Sequence, residues 1–211
     1  MPDAPPPANT ITSLEALEAL YGTPSERAIT KEIDYIASEY AAFIEASPFV
    51  VLSTVAPEGT DSSPRGDPPG FVRVQDPKTV LLPDRNGNNR TDSLCNVVRD
   101  PRVSLLFLVP GVGETLRING TAEIRTDPDM SASFEFQGKL PRSVLKITAD
   151  RVYFQCQKAL HRSRLWDPAS QAEKRPVPTA GEILKALDKA SAFDADEYDA
   201  GYPAHMKRTI Y

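Results

Sequence analysis

The sequence predicts a small, mainly β domain with helices at its margins, an α+β protein built on an antiparallel barrel. Three observations carry that expectation. Short apolar runs of strand length, separated by Gly- and Pro-bearing turns, follow one another from residue 49 to residue 156. Apolar spacing of helical period is prominent outside that stretch and brief inside it. The 20 prolines among 211 residues are roughly twice the usual ~5% and favour many connections over a helical bundle.

Taken in order, residues 1–11 read as a disordered, proline-rich lead. Residues 12–46 read as N-terminal helices. Thr12-Ser13-Leu14-Glu15 has the spacing of a capping box, and the helix it opens should run to Tyr21 and stop at Gly22. Ile33, Ile36, Tyr40, Phe43 and Ile44 recur at helical spacing, which predicts a second helix over 30–46, ended by Ser47-Pro48. Residues 47–168 form the expected barrel core. Strands are predicted at 49–55, 71–74, 80–82, 103–109, 115–124, 143–147 and 151–156. Helices interrupt them at 92–98, at 127–136 with a proline in its first turn, and at 158–165. Residues 169–211 should pack on the core as a helix over 181–190 and a tail, in which Asp194-Ala195-Asp196-Glu197 reads as solvated charge.

Composition limits the function classes. With 40% hydrophobic and 25% charged residues the chain can bury a core. Lys and Arg number 24 against 29 Asp and Glu, a net charge of −5, and this argues against a nucleic-acid partner, whose backbone needs a basic footprint. No run approaches the ~20 apolar residues of a membrane span. Two cysteines, Cys95 and Cys156, cannot supply a disulfide framework or a four-thiolate zinc site. Both are expected as small core residues in a reducing, cytoplasmic setting, since residues 1–7 lack the basic and apolar regions of a secretory signal. Two histidines, His161 and His205, argue against a metal site.

The segment from Ser62 to Arg90 is the most informative chemically. Ser63-Pro64-Arg65-Gly66-Asp67-Pro68-Pro69-Gly70 and Pro83-Asp84-Arg85-Asn86-Gly87-Asn88-Asn89-Arg90 read as loops rich in Gly, Asn and Arg. Such loops offer a phosphate what it needs: convergent backbone N–H groups, amide donors and guanidinium forks. Arg65, Arg85 and Arg90 stand out, and the start of the 92–98 helix would add its positive dipole end.

Several of these segments together resemble the pyridoxamine 5'-phosphate oxidase family of flavoproteins over roughly residues 45–168. They are Val80-Leu81-Leu82-Pro83-Asp84 through Asn89-Arg90, Ser93, Asp100-Pro101-Arg102-Val103, and Thr115 to Glu123 with its Gly120-Thr121-Ala122-Glu123 ending. Within that superfamily Ser63 to Gly70 and Lys158 to Pro168 are similar to a bacterial branch of FMN-dependent enzymes without an assigned substrate. The resemblance implies a split-barrel homodimer with FMN at the subunit interface. By position, Arg65 and Arg90 would hold the FMN phosphate, helped by Gly66, Asn88 and Asn89. Leu82 and Pro83 would present backbone to the flavin, Thr115 would contact it from a neighbouring strand, and Lys158, Arg164 and Trp166 would reach it from the C-terminal stretch.

Departures from the family pattern narrow the activity. Asn88-Asn89-Arg90 replaces a Ser-Arg-Lys triplet, Pro68-Pro69 breaks a strand of the vitamin B6 oxidases, and their C-terminal Arg-x-His signature is absent. The expectation is an FMN-dependent oxidoreductase acting on a small molecule other than vitamin B6, with NAD(P)H as a candidate electron donor and no assigned catalytic side chain. The alternative is a flavin-storing module, or a barrel that takes haem or a deazaflavin.

Overall fold

The computed structural model describes residues 9–188 and 192–211. The chain divides after Glu32 into two compact units. In the first, α1 spans Leu14–Tyr21 and α2 spans Glu26–Thr30. The N-cap of α1 is Ser13, whose Oγ accepts from Ala16 N at 3.1 Å; the expected capping box one residue earlier does not form. Gly22 stops α1 with φ at 72°, a conformation that favours glycine. Most of the lead expected to be disordered, residues 1–8, lies outside the described residues.

The second unit holds seven strands: β1 (Phe49–Ala56), β2 (Gly59–Gly66), β3 (Arg73–Asp76), β4 (Thr79–Asp84), β5 (Arg102–Leu108), β6 (Thr115–Arg125) and β7 (Ser143–Gln155). Every neighbouring pair is antiparallel, in the order β2-β1-β5-β6-β7-β4-β3. The sheet is a split barrel, curled but not closed by a backbone ladder. Along β1, β5 and β6 buried and half-buried residues alternate, as a curled sheet with one inner face requires. Val50, Leu52, Leu105, Phe107, Leu116, Ile118, Ile147 and Val152 fill the interior and are fully buried. Truncating one such side chain, Phe107→Ala, would cost about 3–5 kcal/mol.

Three of the remaining elements pack on this sheet, α3 (Ser38–Ala46), α4 (Asp92–Arg99) and α5 (Pro128–Ser133), and β7 is followed by α6 (Lys158–Ser163) and a 3-10 turn at Pro168–Ser170. Two helices follow, α7 (Ala180–Leu187) and α8 (Ala195–Thr209). The last two expected positions of α7, 189 and 190, lie outside the described residues.

Four expectations need correction. The helix predicted over 30–46 is not continuous, because Ile33 exchanges backbone hydrogen bonds with Val152 (3.1 and 2.7 Å) and Ile36 N donates to Pro77 O (2.7 Å). Their apolar spacing serves the sheet rather than a helix face. The loop expected around Ser62–Gly66 is the strand β2, an edge strand whose polar side chains and Pro64 are tolerated because one side of it carries no ladder. The two strands expected at 143–147 and 151–156 are one strand, β7, in which Asp150 is the extra residue of a bulge opposite Asn119/Gly120. Gly120 is required there, since a Cβ on it would lie 1.9 Å from Thr148 O. The charged tail at 194–197 starts α8, with Asp194 Oδ1 accepting from Asp196 N and Glu197 N, both at 3.0 Å.

Candidate functional site

The curled sheet brings its two ends together through side chains. Arg65, on the inward side of β2, donates from Nη1 to Asp84 Oδ1 at the end of β4, at 2.6 Å. Two residues on, Asp67 Oδ2 accepts from Arg85 Nε at 2.7 Å. The two pairs are reciprocal: the cation Arg65 on β2 meets the carboxylate Asp84 on β4, and just past the strand ends the carboxylate Asp67 meets the cation Arg85. They clasp the seam between β2, first in the sheet order, and β4, last but one. Both are partly buried, and Asp67 has a side chain only 1% exposed.

The clasp uses its two arginines differently. Arg85 is consumed: besides Asp67 it donates from Nη1 to Phe134 O at 2.7 Å, and it lies 5.9 Å from the Phe136 ring centre and 6.0 Å from that of Tyr211. Arg65 is not. Its Nε is buried and has no acceptor, the one buried side-chain nitrogen or oxygen without a partner among the described residues. A buried guanidinium N–H left unmade costs about 1–3 kcal/mol, so an incoming anionic oxygen would recover that cost.

The loop after β4 adds polar groups. Asn88 Oδ1 accepts from Arg90 N at 3.0 Å, and Asn89 takes the left-handed conformation with φ at 60°. Asn89 Oδ1 accepts from Arg142 Nη1 at 3.0 Å. Arg142 immediately precedes Ser143, which pairs with Asp84, so the Asn88–Arg90 loop is tied to the seam. Arg90 itself is turned away. Its Nε pairs with Asp92 Oδ2 at 2.5 Å, its side chain is 79% exposed, and that hydrogen bond, with the Asp92 charge behind it, raises the pKa of its guanidinium. The start of α4 is also engaged, because Ser93 Oγ donates to Asp61 Oδ2 at 2.6 Å. The dipole end expected to favour a ligand already faces the carboxylates Asp92 and Asp61.

Leu82 and Pro83 are buried on β4, opposite Leu145 and Val144 of β7. The pairing of β3 with β4 ends at Leu81, so the other edge of Leu82–Asp84 carries no strand. Gly66 lies in a row of directly paired residues, Gly66–Phe49–Leu108–Thr115–Gln155, that crosses five strands along one rim. Thr115 is therefore about 14 Å from Gly66 along the sheet. The C-terminal candidates gather near Thr115 rather than near Arg65. Trp166 Nε1 donates to Val112 O at 2.8 Å, in the turn before β6, and Arg164 pairs with Asp167 at 2.6 Å. Lys158 is exposed at the first position of α6.

The sequence reading missed Asp67 and Asp84 as seam partners, Arg142 as a further cation, and Tyr211, whose Oη donates to Asp67 Oδ1 at 2.7 Å. Crosswise Arg-x-Asp and Asp-Arg at positions 65–67 and 84–85 was the available signal for the clasp. Cys95 and Cys156, expected in the core, are exposed.

The sequence profile described as pyridoxamine 5'-phosphate oxidase matches residues 36–156, more than half of the chain. The chain belongs to the pyridoxamine 5'-phosphate oxidase family. The match spans β1 to β7, and with them both pairs of the seam clasp. No curated protein matches the chain. Among solved structures it is similar to HupZ of Group A Streptococcus, at 21% identity over 56% of this chain and 91% of that one, with a TM-score of 0.46. It is similar to an FMN-binding protein from Syntrophomonas wolfei, at 11% identity over 67% and 95%, with a TM-score of 0.43. A third is the FAD binding protein from Mycobacterium smegmatis, at 12% identity over 58% and 97%, with a TM-score of 0.40. No helix among the described residues is long and apolar enough to cross a membrane.

Proposed function

We propose that this member of the family binds FMN by its phosphate at the barrel seam and works as an FMN-dependent oxidoreductase on a small molecule other than vitamin B6. One observation carries the proposal. Arg65 is held by Asp84 with a buried Nε that lacks an acceptor, at the position where the family resemblance puts the phosphate. The residues present fit a phosphate ester there: one oriented guanidinium with an unpaired N–H, the glycine Gly66 beside it, and Arg142 with Asn89 on the loop side. Bound FMN would supply hydride or electron transfer at its ring. The chain would orient it, with Thr115 and Arg117 on the same outward face of β6; Arg117 is steadied by donating to Tyr153 Oη at 3.0 Å.

The outward face of β1 and β5 supports assembly as a two-fold dimer with the flavin sites at the interface. Phe49 pairs with Leu108 and Val51 with Leu106, four apolar residues beside each other on the half-exposed side of the sheet. Such a face is best covered by a second copy. In this reading the protein works in the cytoplasm, with NAD(P)H as the electron donor.

The test is the absorbance spectrum of the purified protein, followed by anaerobic addition of NADPH. Oxidised-flavin bands that bleach on NADPH and return with an added acceptor are expected. Flavin bands that never bleach would reduce the protein to a storage module, and a colourless chain that takes up no FMN would end the proposal.

A further inference from the structure

The seam clasp has a third component that the family match does not include, since Tyr211 lies far beyond residue 156. Asp67 has both carboxylate oxygens engaged: Oδ2 by Arg85 Nε and Oδ1 by Tyr211 Oη, each at 2.7 Å. The Tyr211 ring packs on Phe136 with centres 4.8 Å apart, and Arg85 lies near both rings. Residue 211 follows α8 and is 144 positions from Asp67 in sequence, so the contact is made only when the C-terminal helix returns to the barrel.

We propose that Tyr211 is a positioning residue, a latch that keeps Arg65 free for the phosphate. The inference rests on the FMN reading given above. Asp67 is almost wholly removed from water, so each of its oxygens needs a donor. Arg65 is two residues away in sequence, at the end of β2, and it has an uncommitted Nε. Without the phenol, the vacated Asp67 oxygen draws on that guanidinium and competes with a phosphate for it. With the phenol in place, Asp67 is satisfied by Tyr211 and Arg85, and Arg65 keeps an unpaired N–H. The latch therefore acts on phosphate recognition and not on the flavin ring.

The experiment compares FMN with riboflavin, which lacks the phosphate, by fluorescence titration of the wild-type chain and of Tyr211→Phe. The substitution keeps the aromatic packing on Phe136 and removes only the hydroxyl. The wild type should prefer FMN. Tyr211→Phe should lose about tenfold in FMN affinity while its riboflavin affinity stays unchanged. Equal weakening of both flavins, or an unchanged preference for FMN, would overturn the latch and leave the FMN reading standing. A wild-type chain that binds riboflavin and FMN alike, or neither, would overturn the phosphate reading itself and the latch with it.

Discussion

Arg65 reaches Asp84 across the barrel seam at 2.6 Å, while its own Nε, buried beside that bond, meets no acceptor. The pair orients the guanidinium and leaves one edge of it unused.

In the FMN reading proposed above, replacing Arg65 by Ala removes a phosphate donor, and in any reading it strands Asp84. FMN affinity should fall by about 1.5–3 kcal/mol, measured by equilibrium titration. Arg65→Lys should not restore it, since an ammonium lacks the planar fork that serves Asp84 and a phosphate at once. Full rescue by lysine would contradict this account.

Arg142 should contribute less. It is exposed and holds Asn89 from the rim of the site, so Arg142→Ala should weaken FMN by about 0.2–1 kcal/mol, an effect that fades as salt is raised. Titrations at two ionic strengths read it.

Gly120 tests the fold rather than the site. A Cβ there would stand 1.9 Å from Thr148 O and 3.2 Å from the Ala149 Cα, both backbone atoms of β7. Gly120→Ala should destabilise the barrel by about 1–3 kcal/mol or more, seen as a lower midpoint in thermal unfolding. Gly87→Ala, where a Cβ meets nothing within 4 Å, should leave the midpoint nearly unchanged.

How much of this was legible in sequence depended on the range of the interaction. Alternation made β1, β5 and β6 visible, and Gly22 and Asp100-Pro101 marked real helix ends. The edge strand β2 was hidden because polar side chains and Pro64 carry no periodic signal there. Ile33 and Ile36 misled because a β-bridge and a helix face both accept apolar spacing, and tertiary pairing decided between them. Arg65, Asn89 and Pro83 could be named as site candidates from the family pattern. Their partners could not, because Asp84 lies 19 positions from Arg65 and Tyr211 lies 144 from Asp67. Only the curl of the sheet and the return of α8 bring them together.

The acid limit has a local marker in Asp100. The hydrogen bond from Arg102, with the backbone N–H of the same residue, lowers the Asp100 carboxyl from 3.8 to about 2. Because the folded value is the lower one, its contribution to stability is present above the unfolded value and is lost as pH falls from about 4 to about 2. A carboxyl titration followed by NMR should show Asp100 protonating late, and Arg102→Ala should return it to the usual aspartate range. An Asp100 that already titrates normally in the wild type would refute the pairing.

The measurement that tests the central claim most directly is a crystal structure of the chain grown with FMN. The account predicts a phosphate oxygen at about 3 Å from Arg65 Nε, with the Arg65–Asp84 pair intact behind it. A phosphate bound elsewhere, or an Arg65 Nε that remains without an acceptor in flavin-saturated crystals, would contradict it.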